Sequence, residues 1–341
     1  MRTDELDFEL PAELIAQRPV EPRDASRLMH YVRDGGTIAH RTFRDLSEVL
    51  RPGDLLVFND ARVTPAKFSL IKPTGGRVGG LFLEEPRAGE WVALLKGPGP
   101  VRPEAVHRID RHAWATARVV EKLGGGRYRL RVDGPLAEVI LAVAGEMPLP
   151  PYIRRLAEDP ADRERYQTVF AVSPGSVAAP TAGLHVTPEL LRRLDERGVA
   201  RTAVTLHVGL GTFRPVEAED LDGHEMHVER YDLPPAAAAA VNAAKREGRR
   251  VVAVGTTAAR VLESQPPGEL QPRRGETGIF IRPPYAWRHV DALVTNFHLP
   301  RSTLIALVAA FVGLEEQRRL YRVAVAERYR FFSYGDAMLL E

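Results

Sequence analysis

The chain contains no cysteine, which excludes a disulfide framework, a thiolate nucleophile and any zinc site built on sulfur. It also lacks an apolar run of the ~18 residues that a membrane-spanning helix requires. Its first residues, MRTDELDFEL, are acidic and carry neither the basic nor the apolar region of a secretory signal. A cytoplasmic protein without membrane contact is expected. Lysine is scarce beside arginine, so Schiff-base chemistry has few candidates. No Gly-x-Ser-x-Gly elbow and no P-loop occur. The formal charge of +2 is too small to signal nucleic-acid binding, because phosphate affinity depends on where basic groups cluster.

What is present is a chain of 341 residues, 44% hydrophobic and 27% charged, long enough for two domains with their own cores. Three segments alternate helix and strand. TPELLRRLDERG predicts a helix capped by Thr187, followed by a strand over 202–208. An Ala-rich helix ending near Gly248 leads into a strand over 250–254. HVDALVTNF is a third strand, and Ser302 caps the helix after it. With GDLLVFND near the N-terminus, these predict an α/β domain with a largely parallel sheet flanked by helices. Residues 64–156 differ: short β-rich runs such as EWVALLK and RYRLRVDG lie between Gly- and Pro-rich turns. They predict a small antiparallel β-barrel, inserted between 1–63 and 157–341 of a discontinuous catalytic domain.

In open α/β sheets, ligands bind beyond the carboxyl ends of the strands. Here those ends carry Asn59, Asp60 and Arg62; His207, Gly209, Gly211 and Thr212; Gly255, Thr256, Thr257 and Arg260; and Asn296 and His298. Thr181, Gly183 and His185 precede a predicted helix, where small residues would let a ligand approach the backbone. Polar groups gathered at several strand ends point to one cleft, in which His207 and His298 would meet. His224 and His227 lack the spacing that places two imidazoles on one helical face, so no metal is expected.

Long strings of the chain resemble the S-adenosylmethionine:tRNA ribosyltransferase-isomerase family of queuosine biosynthesis. They include GDLLVFNDARVTPAK, GSVAAPTAGLH, VTLHVGLGTFRPV, HEMHVERY, VDALVTNFHLPRSTL and YRFFSYGDAMLL, and with the other matches they span residues 7 to 340 in constant order. The chain departs from the family pattern at Gly79–Gly80, where Glu-Val is frequent, and at Ala258–Ala259, where Ser-Val is common. The resemblance implies an α/β domain with an inserted barrel. It further implies transfer of the ribosyl part of S-adenosylmethionine to preQ1 at the tRNA wobble position. Isomerisation to epoxyqueuosine follows, and adenine and methionine leave. No cofactor is implied beyond S-adenosylmethionine, which is consumed. The alternative is an α/β transferase that uses S-adenosylmethionine on a small molecule without RNA.

For that chemistry His185, His207 and His298 are the acid–base candidates, because imidazole titrates nearest neutrality. Each is open to either role, with Asp60 or Asp336 as substitutes. Asn59, Asp60, Arg62, Thr181, Gly183, Gly209, Gly211, Thr212, Thr256, Thr257, Asn296, Tyr334 and Asp336 are candidate substrate contacts. Arg154, Arg155 and Arg330 are candidate tRNA contacts, since a basic and partly aromatic surface suits an anticodon arm. A monomer is expected.

Overall fold

Hydrophobic alternation along the central strands explains the architecture. In the computed structural model, which describes residues 1–97, 105–112, 114–155, 159–209 and 216–341, strand β3 (Leu55–Asn59) points Leu55 and Val57 to one side and Leu56 and Phe58 to the other. Its residues are buried on both faces, as a strand covered by helices requires.

The chain opens with a hairpin, β1 (Arg27–Val32) and β2 (Thr37–Thr42), then the short helix α1 (Leu46–Val49), β3 and β4 (Ala61–Val63). Six strands follow: β5 (Lys67–Ile71), β6 (Arg77–Arg87), β7 (Glu90–Lys96), β8 (Val106–Ile109), β9 (Thr116–Gly124) and β10 (Arg127–Asp133). Helix α2 (Ala137–Ala144) closes this segment. The chain continues through α3 (Asp162–Arg165), β11 (Ser173–Ser176), α4 (Pro188–Glu196), β12 (Ala200–Leu206), β13 (Glu229–Leu233) and α5 (Pro235–Arg246). It ends with β14 (Val251–Val254), α6 (Thr256–Glu263), β15 (Arg273–Thr277), β16 (Ala292–Asn296), α7 (Thr303–Val312), α8 (Leu314–Ala326) and β17 (Ala337–Leu340).

Nine strands form one mixed sheet in the order β15-β13-β12-β3-β14-β16-β17-β1-β2. The parallel character belongs to its centre, where β12, β3, β14 and β16 run together. Both flanks include antiparallel pairings: β12–β13 and β13–β15 on one side, β16–β17 and β1–β2 on the other. Helices α5 to α8 pack on one face against Val57, Val204, Ala253 and Leu293, and α1 and α4 cover the other against Phe58, Val252 and Val294. Strands β5 to β10 close an antiparallel barrel in the order β10-β7-β6-β5-β8-β9. Trp91, Leu70 and Leu130 fill it, and Ile140 and Leu141 of α2 plug one end.

Gly80 has a packing reason. It pairs with Phe68 across β5 and β6, and a Cβ there would lie 2.4 Å from the Phe68 ring. The aromatic ring occupies the volume that a side chain at position 80 would need.

Candidate functional site

The strand ends do form a cavity. Its wall combines Ala178 to Ala182, Gly255 to Thr257 at the start of α6, and Thr295, Asn296 and His298 after β16. Tyr152, Val208, Leu304, Phe332 and Ser333 also line it, and the space they border, counted out to open solvent, is about 650 Å³. Local rules build this wall. Gly255 has φ +93°, a conformation that favours glycine, and it turns β14 directly into α6. Ser302 Oγ accepts the Ile305 amide and starts α7, so the chain between β16 and α7 is free to line the cavity. Phe332 adopts φ +73°, uncommon for a bulky residue and costly wherever it is kept. Its ring stacks on Tyr152 at 4.4 Å, and Tyr152 Oη shares a 2.7 Å hydrogen bond with Ser333 Oγ.

Two buried acceptors in the wall lack partners among the described residues: Asn296 Oδ1 and Thr257 Oγ1. The Asn296 amide is oriented by its other end, where Nδ2 faces His185 Nε2 at 3.0 Å and the Phe332 carbonyl at 3.2 Å. A carbonyl cannot receive an oxygen, so Nδ2 belongs there and Oδ1 is the atom left for a ligand.

The three histidines have three different placements. His298 lines the cavity. Its Nε2 shares a 2.7 Å hydrogen bond with Thr295 Oγ1, and burial lowers its pKa to about 3, so it is neutral near pH 7. His185 lies behind the wall: Nε2 accepts from Asn296, which makes Nδ1 the protonated nitrogen that donates to Ser26 Oγ at 2.8 Å. Burial, followed by the nearby Arg330 and Arg23, lowers its pKa to about 3. Both nitrogens are occupied by the fold. His207 opens elsewhere, on a groove of about 1560 Å³ between the sheet and barrel residues Leu83, Glu84, Leu94, Gly125 and Arg127. Burial and Arg230 lower its pKa, partly offset by Asp60 and Asp232, and its Nδ1 is buried without a partner among the described residues. The expected single cleft holding His207 and His298 is therefore corrected to two spaces, both lined by Val208. The cause is that β12 lies beyond β3 from β14 and β16, and the residues that follow it share their groove with barrel residues.

Other expected contacts divide in the same way. Thr181, Thr256, Thr257 and Asn296 line the cavity, and Gly209 lines the groove. Asn59 is absorbed by the sheet: Oδ1 accepts the amides of Ala61 and Leu206, and Nδ2 donates to the Leu206 carbonyl. Asp60 Oδ1 accepts the Thr205 hydroxyl at 2.6 Å, and Arg62 is exposed on β4. Gly183 makes room for protein rather than ligand, since a Cβ would lie 2.7 Å from Phe170 and 2.9 Å from Thr168. Tyr334 Oη donates to Asp162. Asp336 accepts the amides of Arg27 and Arg330, and it also receives Arg330 Nη2 at 3.3 Å. Arg155 grips both oxygens of buried Asp162 at 2.9 and 3.1 Å, which removes it from the surface available to phosphate. Arg154 is exposed. Gly211 and Thr212 lie outside the described residues. Sequence reasoning missed Tyr152, Ser333 and Thr295, whose hydroxyls carried no spacing signal. Among the described residues no group of three or more His, Asp or Glu side chains could hold a metal ion, and no helix is long and apolar enough to cross a membrane.

Residues 3–340 match the family described as queuosine biosynthesis protein. A curated relative from Anaeromyxobacter sp. (strain Fw109-5), named S-adenosylmethionine:tRNA ribosyltransferase-isomerase, is 54% identical over 100% of this chain and 99% of its own length. A relative of the same name from Thermus thermophilus is 54% identical over 98% of each chain. The crystal structure of S-adenosylmethionine tRNA ribosyltransferase from Thermotoga maritima superposes with a TM-score of 0.57 at 38% identity, covering 99% of this chain and 100% of that one.

Proposed function

The chain belongs to the S-adenosylmethionine:tRNA ribosyltransferase-isomerase family, and from that premise we propose how its two spaces divide the reaction. The enzyme moves the ribosyl part of S-adenosylmethionine onto preQ1 at the tRNA wobble position and isomerises it, giving epoxyqueuosine, adenine and methionine. The cavity takes the nucleoside of the donor, and the groove beside the barrel takes the acceptor nucleotide. Val208, which lines both, marks where they meet. The observation that carries this reading is the pair of unpartnered acceptors, Asn296 Oδ1 and Thr257 Oγ1, buried in the wall of that cavity. Such atoms are costly unless a ligand satisfies them.

The donor is a sulfonium, which acidifies the adjacent C5′ proton. Once that proton has left, the C5′ carbanion forms the new bond to C1′ as the C1′–N9 bond breaks and adenine takes that electron pair. The C5′–S bond breaks to release methionine as the neutral thioether. His298, neutral in the cavity, is the base in this proposal, and Thr295 orients its ring. His207 acts on the acceptor side, where its buried Nδ1 faces no protein partner among the described residues. Arg154 and the half-buried Arg330 contribute to tRNA contact. The same proposal takes 1–63 with 157–341 as the catalytic domain and 64–156 as the barrel domain. It also takes the enzyme to be a cytoplasmic monomer that needs no cofactor beyond its donor.

The test is to incubate the protein with S-adenosylmethionine and preQ1-containing tRNA and to follow adenine and modified nucleoside by mass spectrometry. Both products should form only with the tRNA. Equal adenine release with free preQ1 would replace this reading by the small-molecule transferase.

A further inference from the structure

Arg260 sits on α6, one turn beyond the threonines of the cavity, and is only 4% exposed. Its Nη1 donates to Glu229 Oε2, and Glu229 Oε1 accepts the Gly209 amide at 2.8 Å. Its Nε and Nη2 are buried and have no partner among the described residues. These two nitrogens lie on one edge of the guanidinium, the edge that grips carboxylates through two parallel hydrogen bonds. Other arginines of the chain use that edge on a carboxylate, and the most buried examples are Arg155, which holds Asp162 at 2.9 and 3.1 Å, and Arg250, which holds Asp54 at 2.9 and 2.6 Å. In Arg260 no described residue fills the edge, although a buried charge with unpaired donors is expensive to keep.

Arg260 lines a pocket of about 440 Å³ with Met226, Phe280, Ile281 and Leu307. Leu304 lines both this pocket and the donor cavity, so the two are neighbours. The surroundings are apolar apart from Thr303, two histidines and the Glu229 pair. They suit a short aliphatic chain ending in one carboxylate better than a phosphodiester backbone, which keeps its charge near water.

We infer that Arg260 binds the α-carboxylate in the methionine part of the donor, fixing the sulfonium end while the nucleoside occupies the main cavity. This assignment rests on the functional reading above. Glu229 holds the guanidinium in place from its other edge, and the Gly209 amide fixes Glu229, which ties the carboxylate site to the end of β12. S-Adenosylmethionine is then recognised at both ends, and a donor without the carboxylate binds poorly however well its adenosine fits.

The experiment measures equilibrium binding to the full-length protein, without tRNA, of S-adenosylmethionine and of its decarboxylated analogue. With the wild-type protein, the analogue should bind roughly 10- to 100-fold more weakly, the loss expected for a charge-assisted bidentate pair. Arg260→Lys keeps a cation beside Glu229 but has no fork, so it should weaken S-adenosylmethionine binding and nearly abolish the discrimination. Equal affinity of the two compounds for the wild-type protein overturns the inference, and that comparison requires no variant to fold. Weakened tRNA binding in Arg260→Lys with discrimination intact also overturns it, and assigns the fork to a phosphate. Adenine release with preQ1-containing tRNA is scored separately. Release with both donors at equal efficiency removes the carboxylate site and leaves the activity standing, whereas discrimination in binding without adenine release does the reverse.

Discussion

Replacing His185 by Phe separates a structural imidazole from a catalytic one. The phenyl ring keeps the aromatic packing on Phe43, whose centroid is 4.8 Å from that of His185, but offers no nitrogen. Ser26 Oγ and one Asn296 N–H then lose their partner inside the core. A buried polar group left unpaired costs ~1–3 kcal/mol, so the two together cost roughly 2–6 kcal/mol. For 341 residues the unfolding entropy is ~0.7 kcal/mol/K, so this corresponds to a fall in Tm of about 3–8 °C. Acid sensitivity should change as well. The folded pKa is about 3, below the ~6.5 of an unfolded histidine. Between those values the unfolded chain binds a proton that the folded chain does not. The stabilisation is therefore complete above about pH 6.5 and is lost as pH falls, at up to ~1.4 kcal/mol per unit. The variant should lose this part of the acid slope, while His298, with a folded pKa also about 3, retains its own. Thermal unfolding at pH 7 and pH 5, with adenine release per folded molecule measured well below both midpoints, reads the outcome. Turnover should fall far less than the ~10²–10⁴-fold expected on removing an acid–base catalyst. An unchanged Tm and acid slope, with turnover slowed by that factor, would refute the reasoning and return His185 to the chemistry.

His298→Gln should show the opposite pattern, with adenine release slowed by ~10²–10⁴-fold and S-adenosylmethionine binding preserved; near-normal turnover would exclude it as the base. Arg155→Ala should destabilise the fold by about 3 kcal/mol, because Asp162 is left buried without its cation, with the Tyr334 hydroxyl still donating to it, whereas exposed Arg154→Ala should leave Tm unchanged. If Arg154 meets a phosphate, its variant should lower the slope of log affinity for tRNA against log salt by ~0.7–0.9, and an unchanged slope would make it ordinary surface. Gly80→Val should overpack the barrel against Phe68 and cost ~1–3 kcal/mol. Combination with Phe68→Leu should recover part of that loss in a denaturant titration, and independent additive effects would contradict the packing account.

Much of the fold was legible because its signals are local. Thr187 and Ser302 cap α4 and α7 as their positions suggest, and the runs read as β-rich at 64–156 become barrel strands. The short strand β8 was missed between turns, and so were β1, β2 and β17. β17 is only four buried residues, Ala337–Leu340, and nothing local says that it runs between β16 and β1. That pairing is a decision of the whole sheet, and with the antiparallel pairs at β1–β2, β12–β13 and β13–β15 it makes the largely parallel sheet mixed. The site was legible as a set of strand ends but not as a geometry. Thr256, Thr257, Asn296 and His298 share one cavity because β14 and β16 are neighbours. Residue type alone could not reveal that Asn59 bridges two strands, that Gly183 clears space for Phe170, or that Arg155 is occupied by Asp162. Each of those roles depends on a partner distant in sequence.

The central claim is that the donor nucleoside lies in the cavity formed by Ala178–Ala182, the start of α6 and the end of β16. A crystal structure of the protein with S-adenosylmethionine tests it most directly. The account predicts the adenosine part in that cavity, with polar atoms within hydrogen-bond distance of Asn296 Oδ1 and Thr257 Oγ1 and C5′ directed toward His298. Adenosine bound in the groove beside His207, with Asn296 Oδ1 and Thr257 Oγ1 still unpartnered, would contradict it.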